Sequence, residues 1–113
     1  HVNPIAVFDD GVRQLVPPIH ACGPLLGIAE NNIYGTVSAP LSGFRRLICF
    51  TEGFQNTSNL EGEQFGVTRM LEEVERGGDL DRVMERLVEA VKGFGENPEF
   101  ENAICLLGWE ITR

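Results

Sequence analysis

The chain has 113 residues, a formal net charge of −8 (9 Lys+Arg against 17 Asp+Glu) and 42% hydrophobic residues. This is the composition of one globular domain or part of one, with apolar mass for a single modest core. The acidic balance argues against sequence-independent binding to nucleic-acid backbones or anionic membranes, which needs Lys/Arg patches. No apolar run approaches the ~20 residues of a membrane span, and no basic stretch followed by an apolar one suggests a signal peptide.

Pro4 to Phe8 reads as a strand, Asp9-Asp10-Gly11 as a turn and Val12 to Val16 as the returning strand. Pro17-Pro18 ends this hairpin, because proline cannot donate to a ladder. Residues 19–32 form a connector, Ile33 to Ala39 a short strand and Leu41-Ser42-Gly43 a turn. Arg46 to Thr51 is strongly apolar and is expected to be a central strand buried on both faces. Glu52 to Gln64 is polar, contains Asn56, Asn59 and Gly62, and is expected to be a long loop of the kind that often carries function.

Val67, Met70, Leu71 and Val74 follow helical spacing, and Gly77-Gly78 ends that helix. Asp79 is a suitable N-cap for a second helix with the apolar face Leu80, Val83, Met84, Leu87, Val88 and Val91, ended by Gly93 and Gly95. Residues 96–102 read as loop and Ala103 to Ile111 as a last apolar strand. The order β-β-β-β-α-α-β predicts a single α+β unit over residues 1–113, a mainly antiparallel sheet with two helices on one face. Residues 47–50 and 104–107 read as buried on both sides, yet two helices cover only one. A second layer is therefore expected, from residues outside this chain or from a partner.

The three cysteines, Cys22, Cys49 and Cys105, are odd in number and widely spaced, with no Cys-x-x-Cys. That argues against a disulfide scaffold or zinc knuckle and fits small buried thiols in a reducing cytoplasm. No P-loop, dinucleotide fingerprint, zincin helix or nucleophile elbow is present. His20 stands alone, without the partners of a catalytic triad. Two places invite a functional reading. Thr51-Glu52-Gly53 ends a buried strand, and Glu101-Asn102 precedes another. Oxygen ligands at strand mouths suit hard metal ions. If the two strands are neighbours, Glu52 and Asn102 lie close together.

Four segments together resemble a known family: Gly23-Pro24-Leu25-Leu26-Gly27-Ile28, Gly43 through Gly53, Gly62-Glu63-Gln64-Phe65-Gly66, and Asn102 through Leu107. In order and spacing they are similar to the C-terminal half of the bacterial PP2C-type (SpoIIE/RsbU-like) serine phosphatases. The resemblance implies an α-β-β-α sandwich, of which this chain would be the C-terminal half, and so accounts for the missing layer. It also implies a two-metal hydrolysis of phosphoserine, with Mn²⁺ or Mg²⁺ held by carboxylates.

Both ligand positions that the resemblance assigns to this chain are altered. The family has Thr-Asp-Gly where this chain has Thr51-Glu52-Gly53, and an aspartate where Asn102 stands. Asn56 replaces a frequent glutamate, and Gly43-Phe44 a Gly-Asp turn. A longer carboxylate and a neutral amide weaken a divalent-ion site. Glu52 and Asn102 are thus the candidate metal positions, with no catalytic residue assigned. The resemblance implies a degenerate regulatory module, cytoplasmic, that binds proteins in partner switching or as a response-regulator output. Its partners would be of the anti-sigma-factor antagonist or sigma-factor regulator type, with the missing N-terminal half or a homodimer mate on the bare sheet. The alternatives are an active Mn- or Mg-dependent serine/threonine phosphatase completed by that half, and an unrelated small α+β module.

Overall fold

A computed structural model describes residues 2–16, 30, 38, 42–95 and 104–112. Within them lie strands β1 (Ile5–Phe8), β2 (Gly11–Gln14) and β3 (Phe44–Phe50), helices α1 (Glu52–Asn56), α2 (Gly66–Glu75) and α3 (Leu80–Gly95), and strand β4 (Leu106–Glu110). The strands form one antiparallel sheet in the order β2-β1-β3-β4. The expected α+β class and antiparallel sheet are therefore present. Apart from Glu30 and Ser38, the connector 19–32 and the strand Ile33–Ala39 lie outside the described residues, as do the loop 96–102, His20 and Cys22.

Asp9-Asp10 turns the first hairpin, and the Asp9 N–H donates to Gly43 O at 2.7 Å, tying that turn to the start of β3. The hairpin then docks on β3 with Ile5 opposite Ile48. The returning strand is shorter than expected: it ends at Gln14, and Val16 is exposed.

Sheet alternation divides the strand residues between two faces. Ile5, Ile48 and Phe50 are buried on the helix side, where they join Met70, Val74, Val83, Leu87 and Val91 from α2 and α3. These five are among the ten residues that helical spacing marks as core; Val67, Leu71, Leu80, Met84 and Val88 are only half-buried, and Gly77 and Gly78 end α2 with φ of 72° and 105°. The backbone at the Asp79 position accepts from the Val83 N–H at 2.9 Å, starting α3 where the sequence places it.

Arg86 joins the two long helices. Its Nη2 donates to Glu73 O at 3.0 Å and to Gly77 O at 2.6 Å, filling carbonyl positions that the end of α2 leaves without intrahelical partners. Its side chain is only 13% exposed.

The other sheet face carries Ala6, Phe8, Arg13, Leu47, Cys49, Leu107 and Trp109, as the cross-strand pairs Ala6–Arg13, Ala6–Leu47, Leu47–Trp109 and Cys49–Leu107 require. Leu107 and Trp109 are 50% and 51% exposed, so β3 and β4 are not buried on both sides as their apolar runs suggest. Among the described residues the expected imbalance holds: the helices lie on one face of the sheet. Among the described strands the lone acid is Glu110, which lies on the helix side and pairs with Arg46 at 2.7 Å. The strand residues of the open face include no acid; beside its apolar side chains it carries Arg13 and Arg45, which pair with Asp10 and Asp9 of the hairpin turn at 3.2 and 3.9 Å.

Candidate functional site

The pairing of β3 with β4 brings the end of one strand to the beginning of the other, with Phe50 opposite Leu106. One residue beyond that pair, the Thr51 N–H donates to Cys105 O at 3.1 Å, and the Cys105 N–H donates to Thr51 Oγ1 at 3.0 Å. Thr51 occupies the N-cap position of α1, where a threonine hydroxyl ordinarily accepts from the first helical turn. Here it makes no such cap bond and reaches across to β4 instead. This clasp fixes the mouth between the two strands.

Glu52 follows directly, as the exposed first residue of α1. Gly53 and Phe54 are buried, and Phe54, fully removed from solvent, anchors this short helix to the core. The predicted continuous loop from Glu52 to Gln64 is thus corrected. Its first five residues are helical, held by one aromatic anchor rather than by a repeating apolar stripe. Thr57 Oγ1 then donates back to Gly53 O at 2.7 Å.

The remainder of that segment is a fastened turn. Asn59 Oδ1 accepts from the Glu61 and Glu63 N–H groups at 3.0 and 2.9 Å, and Ser58 bridges to Gln64. Phe65 is buried edge-on against Phe94 at 5.4 Å. Arg69 lies over the Phe94 ring and donates to Gln64 O and Phe65 O at 2.8 and 2.9 Å. Gly62 and Gly66 adopt φ of 83° and 75°, conformations that favour glycine. The segment Gly62 to Gly66 is therefore architectural. Asn59 reads in the sequence as one of several loop residues, and its role in fastening this turn was missed. Its signal was an asparagine three positions ahead of a glycine, the chemistry of an Asx turn.

Of the two candidate metal positions, Glu52 stands at this mouth, and Asn102 lies outside the described residues. Hard divalent ions take about six or more oxygen ligands. Among the described residues no three His, Cys, Asp or Glu side chains come together. These residues do not by themselves fit a dinuclear centre, and no chemical step is derived through one. Cys49 and Cys105 are free thiols; Cys49 is half-buried, but Cys105 is exposed, so the expectation of a buried thiol fails there, where the residue precedes β4. Burial raises the Cys49 thiol pKa above its ordinary 9.0, which favours the unreactive protonated form. No described helix is long and apolar enough to cross a membrane.

A family model described as "Stage II sporulation protein E (SpoIIE)" matches residues 1–109. No curated protein and no solved structure gives a significant match.

Proposed function

The chain belongs to the stage II sporulation protein E (SpoIIE) family of PP2C-type phosphatases, and we propose that it is a degenerate member whose work is to bind proteins rather than to hydrolyse phosphoserine. The observation that carries this reading is the adjacency of β3 and β4. It puts Glu52, the longer carboxylate, at the mouth beside Thr51, whose clasp to Cys105 joins β3 to the start of β4; in the sequence the other altered position, Asn102, is three residues ahead of Cys105. In this reading the lengthened carboxylate and the neutral amide belong to one site, and each weakens its hold on a divalent ion.

In this reading the domain is a cytoplasmic regulatory or output module of bacterial signalling, of the partner-switching or response-regulator kind. Its protein partner is an anti-sigma-factor antagonist or a sigma-factor regulator. The open face of the sheet is the seat of the other half of the domain, or of a homodimer mate. The half-exposed Leu107 and Trp109 on that face support the assignment, because exposed apolar surface is stabilised by cover.

PP2C-type phosphatases generally use Mn or Mg, and the second reading is an active serine/threonine phosphatase that needs carboxylates from an N-terminal half. The exposed Glu52 carboxylate favours it. Turnover of p-nitrophenyl phosphate and a phosphoserine peptide in about 2 mM Mn²⁺ separates the two. The longest natural form of the protein is used, with Glu52→Ala as control. Absence of turnover, with capture of a phosphorylatable antagonist, supports the binding module. Turnover abolished by Glu52→Ala overturns it.

A further inference from the structure

We draw no further inference here: the strongest candidate, the open face of the sheet around Leu47, Leu107 and Trp109, is the seat already assigned to the other half of the domain or a homodimer mate, and nothing in the structure shows which of them covers it.

Discussion

Replacing Arg86 with alanine should destabilise the chain by about 2–4 kcal/mol. Arg86 Nη2 holds the Glu73 and Gly77 carbonyls at 3.0 and 2.6 Å, and its Nε lies 3.8 Å from Glu73 Oε2. The last distance is an ion pair rather than a hydrogen bond, so the two carbonyl contacts carry the effect. A hydrogen bond from a charged donor contributes about 1.5–3 kcal/mol, and water reaching the half-buried Gly77 recovers part of the loss.

Helix α2 has ten residues, too few to persist in water without tertiary support, so a lost cap at its end should fray it. At about 4–8 °C per kcal/mol for a domain near this size, thermal unfolding followed by circular dichroism should move down by about 8–32 °C. Arg82→Ala is the matched control, since Arg82 and Glu85 form an exposed pair and should cost under about 0.5 kcal/mol. Arg86→Lys keeps the charge without the fork and should fall between the two. If Arg86→Ala proves as stable as Arg82→Ala, the capping argument is wrong.

Thr51→Val removes the acceptor of the Cys105 N–H and should cost about 1 kcal/mol, with faster hydrogen exchange at that amide; unchanged exchange would refute the clasp. Gly95→Ala gains about 1 kcal/mol of helix propensity. A Cβ there, however, would meet Thr57 Cγ2 at 2.8 Å, and Thr57 is held by its bond to Gly53 O. The net effect should be a loss of about 1–2 kcal/mol in urea denaturation, and a gain would show that Thr57 yields freely. Iodoacetamide near pH 8 should modify the exposed Cys105 about tenfold faster than Cys49, read by peptide mass mapping, and the reverse order would contradict the burial of Cys49. Because the Cys49 pKa is raised in the folded chain, its contribution to stability is fully present below pH 9.0 and is lost as pH rises through the higher folded value.

The long helices were legible because Met70, Val74, Val83, Leu87 and Val91 repeat at helical spacing and all reach the core. The one-sided sheet was legible as a contradiction, since apolar runs at 47–50 and 104–107 need two layers and only one helical layer is encoded. Helix α1 was not legible. Five residues are too few for periodicity to register, and its hold on the core is Phe54 alone. Arg86 was hidden for another reason. Its partners lie 13 and 9 residues away, and nothing local marks an arginine as a helix cap. At the site, the sequence offered the neighbourhood of the two strands as a condition, which the β3–β4 pairing meets. The hydroxyl of Thr51 turning across to Cys105 depends on strand register, which the sequence leaves open.

The division of charge across the sheet also gives the molecule an electrical orientation. Its described strands carry one acid, Glu110, and that acid faces the helices, while α2 and α3 present Glu72, Glu75, Asp81, Glu85 and Glu89 to solvent. On a positively charged resin the chain should therefore land helices first, with Trp109 and Leu107 turned toward the mobile phase. Elution would then bring those apolar faces together at high salt and high local concentration, the conditions under which they adhere most readily. Aggregation on the column, relieved by low loading rather than by changes of pH, is the practical signature of such a lopsided surface.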